Sequence, residues 1–352
     1  MQSVLITGGA GFIGQNLVHA WRTARPDDRL VVVDAMTYAA NVRSLEPLIK
    51  DHGIQFVRGD IKDAGLIRRL FDEHQFGSVL NCAGNCALRA CELDSRLAWR
   101  TNVEGLINLL SIIVERDVRL VHLSVDLVYS GERAGACSTP KRLEDETARP
   151  GYLETDPTDP VTVYGKTMVS AEQLLVDWMP EACTLRISLP MGVSFNGHAG
   201  AIDWIQSRFK KGRPATLYFD EVRTPAYTDC LNRLYERVLA SDLSGVYHAG
   251  GPRALSLYQI AQVINRVGGY DAKLLMGCRR IEAGPVPPRA GDVTMNSTAL
   301  IEALNGEELL DAWPYDPALV PTDANWHHDR SGERGSPELL ARILYRKPDR
   351  VH

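Results

Sequence analysis

The stretch Thr7-Gly8-Gly9-Ala10-Gly11-Phe12-Ile13-Gly14 decides the fold of this chain, because it joins an apolar run to an amphipathic one. The run Val4–Thr7 is typical of a buried strand, and Phe12–Arg25 has helical spacing. Glycines in the GxxGxxG pattern let the backbone turn tightly, approach a pyrophosphate and pack helix against strand. The helix N-terminus then offers free N–H groups to phosphate. The stretch therefore predicts a dinucleotide-binding turn between a strand and a helix.

Short apolar runs and amphipathic segments continue to alternate through the N-terminal half. Runs that are apolar throughout and separated by helices indicate a parallel sheet covered on both faces. The predicted fold class is α/β: a Rossmann doubly wound parallel sheet with a smaller C-terminal substrate-binding lobe. We predict strands at Val4–Thr7, Leu30–Asp34, Gln55–Arg58, Ser78–Cys82, Leu120–Ser124 and Thr184–Leu189, and helices at Phe12–Arg25, Ala64–His74, Ser95–Arg116 and Tyr164–Trp178.

An acidic residue at the end of the second predicted strand indicates the cofactor. Asp34 follows the glycine-rich stretch by about 20 residues, where a carboxylate can bind both ribose hydroxyls of NAD. The same carboxylate repels the 2′-phosphate of NADP, so we predict a preference for NAD. The alternative is that Asp34 caps a turn. Asp60, after the third strand, is placed to meet the adenine.

Three segments divide the chain. Residues 1–190 are predicted to form the NAD-binding domain, with a loop at 131–160 placed at the active site because long loops in compact domains are often functional. Residues 191–305 are predicted to form a mixed α/β substrate-binding lobe, with which the last elements of the sheet can interleave. Residues 306–352 are predicted to be a polar C-terminal extension, because they show no clear periodicity.

Composition narrows the function further. The chain has 352 residues, 45% of them hydrophobic, and a net charge of −5, which argues against nucleic acid or an anionic membrane as the main partner. No apolar run approaches the roughly 20 residues of a membrane span, so we expect a cytoplasmic protein. The seven cysteines include no CxxC pair, so we expect neither a disulfide framework nor a bound metal.

Several motifs together resemble the extended (atypical) short-chain dehydrogenases/reductases of the NAD-dependent epimerase/dehydratase family. Besides the glycine-rich stretch and Asp34, they are Gly59-Asp60-Ile61 and Asn81-Cys82-Ala83-Gly84. The segments 79–131 and 223–227 are most similar to the dTDP-4-dehydrorhamnose reductases. In many such relatives the helices predicted at 95–116 and 164–178 form a dimer face, so the resemblance implies a homodimer. It also implies that the cofactor contacts Gly8, Gly11, Phe12, Ile13, Gly14, Asp34, Asp60, Ile61, Ala83 and Tyr164.

The resemblance also implies a catalytic triad, which this chain does not complete. Family members use a Tyr, a Lys four residues later on the same helix face, and a Ser or Thr from the preceding strand. Tyr164 matches the tyrosine, but Met168 stands at the lysine position. Lys166 is two residues along, about 200° around the helix, and cannot replace that lysine. Aligned on Val128-Tyr129, the hydroxyl position is occupied by Val125, which would contact the substrate.

These changes have a chemical consequence. An unassisted tyrosine keeps a pKa of about 10 and is a proton donor at neutral pH, so Tyr164 suits ketone reduction better than alcohol oxidation. Asp126 matches the acid of the dehydratases, but Leu127 replaces their glutamate, so we do not expect a standard 4,6-dehydration. Asp126 is either a second acid or a loop cap. Cys86 and Asn85 follow the fourth strand near the expected nicotinamide position, where Cys86 is either a catalytic thiol or an inert packed residue.

Two arginines suggest the substrate. Arg223 lies in a stretch that resembles the family's RDxxYVxD pattern, and Arg289 lies in one that resembles its RPGD pattern; in relatives both bind the diphosphate of a nucleotide-sugar. One guanidinium group can bind two phosphate oxygens at once. The alternative is that both arginines form surface ion pairs. We therefore predict an NAD(P)-dependent reductase, epimerase or related redox enzyme acting on a nucleotide-sugar or a related sugar derivative.

Two alternatives to an ordinary enzyme of this family stay open. One is a catalytically degenerate NAD-binding regulatory or structural protein. The other is an enzyme with a remodelled mechanism that uses Cys86, Asp126 or the loop at 131–160.

Overall fold

A parallel sheet of seven strands forms the centre of the part of the chain that the structure describes, and the predicted α/β doubly wound fold is confirmed. The structure is a computed structural model and describes residues 2–132, 151–197, 199–200, 202–307, 309–332 and 334–345. The strands are β1 (Ser3–Thr7), β2 (Arg29–Asp34), β3 (Gln55–Arg58), β4 (Ser78–Asn81), β5 (Arg119–Val125), β6 (Cys183–Ile187), β7 (Pro190–Met191), β8 (Ala215–Tyr218), β9 (Val222–Arg223), β10 (Ala226–Tyr227), β11 (Gly245–Ala249), β12 (Leu255–Ser256) and β13 (Leu275–Cys278). The helices are α1 (Phe12–Ala24), α2 (Glu46–Asp51), α3 (Ala64–Glu73), α4 (Leu88–Leu93), α5 (Ser95–Trp99), α6 (Gly105–Ile113), α7 (Val163–Trp178), α8 (Asp203–Lys210), α9 (Thr228–Leu239), α10 (Leu257–Val267), α11 (Thr298–Ala303) and α12 (Pro337–Leu344).

The strand order places the functional edge of the sheet. The order is β11-β6-β5-β4-β1-β2-β3, and every neighbouring pair is parallel. The chain winds outward from β1 in both directions, which opens a crevice beyond the carboxyl ends of β1 and β4, where doubly wound sheets bind their ligands. The six strands predicted from the sequence agree with the observed bounds to within two residues. The seventh strand, β11, comes from much later in the chain.

Alternation along the strands builds two apolar layers, one on each face of the sheet. Ile6 and Val32 pack in one cluster with Trp21 of α1. Leu5 and Val31 point to the opposite face and pack in a second cluster, which includes residues of α3, α6 and α7. Because successive side chains of a strand point to opposite faces, a run that is apolar throughout needs helices on both sides.

The helix predicted over Ser95–Arg116 differs from the observed structure. It is divided into α5 and α6 by a wide π-helical turn at Arg100–Glu104, and α6 ends at Ile113. A π turn holds an extra residue, which hydrophobic periodicity does not reveal. Here the wide turn includes Asn102, a buried amide that links the end of β4 to α7.

A separate apolar cluster supports the lobe beyond the sheet. Three strand pairs, β7 with β10, β9 with β12 and β8 with β13, lie beside α8, α10 and α12. The segment from residue 306, predicted to be a polar extension, contributes buried side chains to this cluster: Trp313, Trp326 and Leu340 pack with Ile260 of α10. No helix in the described ranges is long and apolar enough to cross a membrane.

Candidate active site

One cavity of about 790 Å³, called the cleft below, extends from the turn between β1 and α1 to the lobe. It passes the carboxyl ends of β2, β4 and β5 and the first turns of α7. The structure brings to this one place residues that were predicted from separate parts of the sequence. The predicted site residues that line the cleft are Gly8, Gly11, Phe12, Ile13, Gly14, Asp34, Asp60, Ile61, Ala83, Asn85, Cys86, Val125, Asp126, Tyr164, Arg223 and Arg289.

The glycine-rich turn owes its shape to missing side chains. Gly8 has φ of +65°, and a Cβ there would lie 2.8 Å from the backbone of Ala83. A Cβ on Gly14 would lie 2.4 Å from the carbonyl oxygen of Gly8. Gly11 caps α1 without a side chain, so the first N–H groups of that helix face the cleft with their partial positive charge. This backbone suits a diphosphate.

Asp34 closes the turn from the neighbouring strand. Its carboxylate accepts hydrogen bonds from the N–H of Ala10 at 3.0 Å and from the N–H of Met36 at 2.7 Å. Burial raises the pKa of Asp34, and these backbone hydrogen bonds oppose the rise. The carboxylate therefore caps the turn while it lines the cleft. Asp60 lies at the same end, paired with Lys62 at 3.2 Å.

Tyr164 stands in the first turn of α7, whose N-terminus is capped by Thr162 accepting a hydrogen bond from the N–H of Gly165 at 2.9 Å. Burial raises the pKa of Tyr164 well above its usual value, and the nearby Cys86 and Asp126 add to the rise. Tyr164 therefore holds its proton throughout the neutral range.

Met168, which stands where the family has its catalytic lysine, and Lys166 lie on different sides of α7. Met168 is buried in an apolar cluster with Leu127 and Val128, and it lines the cleft. Lys166 is exposed on the other side of the helix, beside Arg96 and Trp99. An apolar side chain, that of Met168, therefore occupies the place of the family's lysine.

The hydroxyl position at the end of β5 is also apolar. Val125 lines the cleft, whereas Ser124, one residue earlier, donates a hydrogen bond at 2.5 Å to the buried carboxylate of Glu172. Glu172 in turn pairs with Arg186 at 2.7 Å. Ser124 is therefore committed to a buried network and does not supply the missing hydroxyl.

Asn85 and Cys86 follow β4. Asn102 holds this segment, because its Oδ1 accepts from the N–H of Asn85 at 2.7 Å and its amide donates to Thr167 at 2.9 Å. The side chain of Asn85 accepts from the N–H of Ala87 and so caps its own turn. The exposed thiol of Cys86 lies 3.8 Å from the hydroxyl of Tyr38.

Asp126 lies at the end of the cleft nearest the lobe, called the substrate end below because the substrate was predicted to bind there. Its Oδ2 accepts a hydrogen bond from Ser188 at 2.7 Å, and its Oδ1 lies 3.2 Å from Arg223 Nη1. Burial raises the pKa of Asp126, while the Arg223 guanidinium lowers it. Arg223 also donates to Glu221 at 2.8 Å. Arg289 is more accessible, with a quarter of its side chain exposed, and its guanidinium lies 4.7 Å from the centre of the Tyr218 ring.

Sequence reasoning missed two residues of this end, Ser188 and Glu221. A signal for Glu221 existed, because it precedes Arg223 by two positions and alternate residues of a strand face the same side. Ser188 follows β6, and nothing in its local sequence predicts its contact with Asp126.

The predicted active-site loop at 131–160 is described only in part, since residues 133–150 lie outside the described residues. The described part from residue 151 packs on the lobe and the edge of the sheet: Tyr152 pairs with Met295, and Glu154 accepts from the N–H of His248. Within the described ranges, no group of three or more His, Cys, Asp or Glu side chains is placed to hold a metal ion.

Two features define the class of extended short-chain dehydrogenases/reductases. One is a glycine-rich turn at the point where the strand order of a parallel sheet reverses, here between β1 and α1. The other is a tyrosine in the first turn of a helix beside it, here Tyr164 of α7. Within that class, the chain belongs to the family of the RmlD substrate binding domain, whose family model matches residues 1–310.

Curated relatives agree with this assignment. The chain is 34% identical to the dTDP-glucose 4,6-dehydratase of Mycobacterium tuberculosis (strain ATCC 25618 / H37Rv) over 177 residues, which are 50% of this chain and 48% of the relative. The chain therefore matches about half the length of these dehydratases. It is 26% identical to the probable low-salt glycan biosynthesis reductase of Haloferax volcanii over 272 residues, covering 77% of this chain and 81% of the relative.

Solved structures share the fold at low sequence identity. The dTDP-glucose 4,6-dehydratase of Bacillus anthracis, in complex with NAD, has a TM-score of 0.71 at 21% identity, covering 87% of this chain and 91% of that one. The dTDP-4-dehydrorhamnose reductase of the same organism, in complex with NADP, has a TM-score of 0.70 at 19% identity, covering 89% and 95%.

Proposed function

We propose that this protein is a nicotinamide-dependent enzyme that reduces a keto group of a nucleoside-diphosphate sugar. One observation carries the proposal: a single cleft joins the glycine-rich turn, Tyr164 and Arg289. The family and the names of the relatives, which are sugar-nucleotide dehydratases and reductases, support the substrate class.

The protonation state of Tyr164 favours reduction of a ketone over oxidation of an alcohol. A bound nicotinamide would supply the hydride. The phenol of Tyr164, which keeps its proton because burial raises its pKa, would donate that proton to the oxygen of the reduced carbonyl. Lys166 lies outside the cleft, and the hydroxyl of Ser124 donates to Glu172, so neither is placed to help remove a proton from an alcohol. Asp126 is a second candidate acid, because burial raises its pKa as well, and Cys86 is a third.

The proposed cofactor is NAD rather than NADP. Asp34 holds a buried carboxylate at the end of β2, where a 2′-phosphate would meet its charge. Titration with NADH and NADPH tests this preference, and we expect tighter binding of NADH by about 100-fold or more, or about 3 kcal/mol. Equal binding of the two would contradict the role of Asp34.

The decisive experiment has two steps. The purified protein is first denatured, and any released nicotinamide cofactor or sugar nucleotide is identified by mass. Turnover is then measured with NADH and a dTDP-4-keto-6-deoxy sugar or its UDP counterpart. We expect oxidation of NADH that depends on the keto sugar. Cofactor binding without turnover of any keto sugar would reject the enzymatic proposal.

A second candidate function is a catalytically degenerate NAD-binding protein with a regulatory or structural role. The observation that favours it is the apolar filling of two triad positions, by Val125 and the buried Met168. The same turnover assay separates the two candidates, because only a degenerate protein binds NADH and leaves every keto sugar unchanged.

We also propose a homodimer formed through α5, α7 and their flanking residues. This surface exposes large apolar side chains, among them Leu93, Trp99 and Val176, which is typical of interfaces. Light scattering on the eluted protein tests the proposal: a mass of twice 38.9 kDa is expected, and a monomer at all concentrations would contradict it.

A further inference from the structure

Four charged side chains form a chain of alternating sign at the substrate end of the cleft. This charge ladder consists of Asp126, Arg223, Glu221 and Arg289. Arg223 lies between the two acids, at 3.2 Å from Asp126 and 2.8 Å from Glu221. Glu221 Oε2 lies 3.7 Å from Arg289 Nη1. The first three side chains are almost fully buried, and Arg289 is the member nearest solvent.

The positive charge of Arg223 is already more than balanced by two carboxylates. Arg223 is buried and faces a carboxylate on each side, so binding a phosphate there would add negative charge beside Asp126 and Glu221. Charges interact strongly in such a dry site. The arginine that can receive a phosphate is therefore Arg289, which reaches the open part of the cleft and has a single, longer contact with an acid.

Three polar atoms of the ladder still lack hydrogen-bond partners. Within the described part of the chain, Arg223 Nη1, Glu221 Oε2 and Arg289 Nε are all buried without one, although Arg223 Nη1 faces Asp126 in an ion pair at 3.2 Å. An unpartnered buried carboxylate oxygen costs free energy unless a donor reaches it. Glu221 lines the cleft, so a bound ligand can supply that donor, and a diphosphate alone carries none.

We propose that Glu221 is a specificity residue that accepts a hydrogen bond from a hydroxyl group of the sugar, while Arg289 receives the phosphate. Arg223 is then a positioning residue that holds Asp126 and Glu221 in place. This inference rests on the proposed function, because it assumes a nucleotide-sugar ligand. It predicts that the site distinguishes a nucleotide-sugar from the bare nucleoside diphosphate.

The expected discrimination follows from the chemistry of Glu221. A hydrogen bond to a charged group contributes about 1.5–3 kcal/mol, so dTDP-glucose should bind about 10- to 100-fold more tightly than dTDP. Without a sugar hydroxyl, the carboxylate is left beside a phosphate and opposes its binding. The isosteric variant Glu221→Gln removes that negative charge and keeps the size of the side chain.

The experiment compares wild type, Glu221→Gln and the matched control Asp220→Asn by calorimetric titration with dTDP and dTDP-glucose, and with the UDP pair. Asp220 is the adjacent acid, but it faces Arg280 and does not line the cleft. NADH binding serves as the check that each variant is folded. We expect Glu221→Gln to bind the bare diphosphate about tenfold more tightly and to lose most of the preference for the sugar, while Asp220→Asn keeps the wild-type ratio.

Two results would overturn the inference, and they are distinguishable. If wild type binds these nucleotides but Glu221→Gln keeps the wild-type ratio of the two affinities, Glu221 has no role in specificity and the proposed function stands. If wild type binds NADH but neither dTDP, UDP nor their glucose derivatives, the proposed substrate class fails, and the inference fails with it.

Discussion

The two ends of the cleft are built by different means. At the cofactor end, the shape is made by backbone, and Gly8 and Gly14 matter because any Cβ would collide with neighbouring main chain. At the end nearest the lobe, the lining is made by side chains such as Asp126 and Arg223, which lie 97 positions apart in sequence but 3.2 Å apart in space. The shape of the first end therefore depends on its glycines, whereas the chemistry of the second depends on individual side chains.

The largest expected effect is on turnover. Changing Tyr164→Phe removes the proton donor and should lower turnover about 10²- to 10⁴-fold while NADH binding stays within about threefold. Because burial raises the pKa of Tyr164 well above its usual value, wild-type activity should not fall through loss of this proton below about pH 10. Steady-state rates from neutral to basic pH provide the measurement. Full activity of the Phe variant would assign the proton to Asp126 or Cys86.

One buried side chain near the glycine-rich turn, His122, is expected to make the stability of the fold depend on pH. Its Nδ1 accepts a hydrogen bond at 3.0 Å from the side-chain amide of Asn81, whose oxygen accepts from the hydroxyl of Thr7. Burial lowers the pKa of His122 to about 4, whereas an unfolded chain has a value of about 6.5. Between these two pH values the unfolded state binds one more proton than the folded state. The contribution of neutral His122 to the free energy of unfolding is therefore complete above about pH 6.5 and is lost as the pH falls toward 4.

Urea unfolding at several pH values measures this contribution. Between pH 7 and pH 5 it should amount to about 2 kcal/mol of the free energy of unfolding. The variant His122→Gln should show a shallower loss over this interval, and a variant of an exposed histidine, His52→Gln, should keep the wild-type slope. Identical slopes for both variants would show that other groups control acid unfolding.

A smaller effect, on stability and on NADH affinity, is expected from Gly14→Ala. The added methyl group would lie 2.4 Å from the Gly8 carbonyl oxygen, and overpacking of this kind costs about 1–3 kcal/mol. NADH affinity should weaken with it, since the turn must shift. Gly77→Ala is the control, because its Cβ would meet nothing nearer than the Ser3 oxygen at 3.9 Å. Thermal unfolding and NADH titration of both variants test the comparison; equal changes would contradict it.

The smallest change is expected from restoring the family triad. The double variant Val125→Thr/Met168→Lys puts back the missing hydroxyl and amine. If catalysis uses other groups than the family triad, turnover of the native substrate should not rise. A lysine at position 168 must also enter an apolar cluster, which is unfavourable for a charged group. The measurement is NADH-dependent turnover of whichever keto sugar the wild-type protein reduces. A large gain would instead reveal an ordinary triad that has decayed.

The sequence predicted the backbone of the cofactor end almost completely, because glycine spacing and apolar runs are local signals. Tyr164 and both arginines were located by a different signal, the resemblance of the short stretches around them to family motifs. These signals did not reveal the π turn that brings in Asn102, since an extra residue hardly changes helical periodicity. Nor did they reveal that Ser188 and Glu221 surround Asp126 and Arg223, because these contacts join the ends of β5 and β6 to a separate strand pair of the lobe, which only the tertiary fold brings together.

The late return of β11 has a consequence for how the protein is made. The chain leaves the sheet after Ile187 and comes back only at Gly245, to pair with the outer edge of β6. A nascent chain emerging from the ribosome therefore carries an unpaired, apolar strand edge until the whole segment between them has been synthesised. Such an edge is a template for pairing with other chains. Rapid translation of residues 188–249 would shorten this exposure, and pauses within it would lengthen the period in which the growing protein can aggregate.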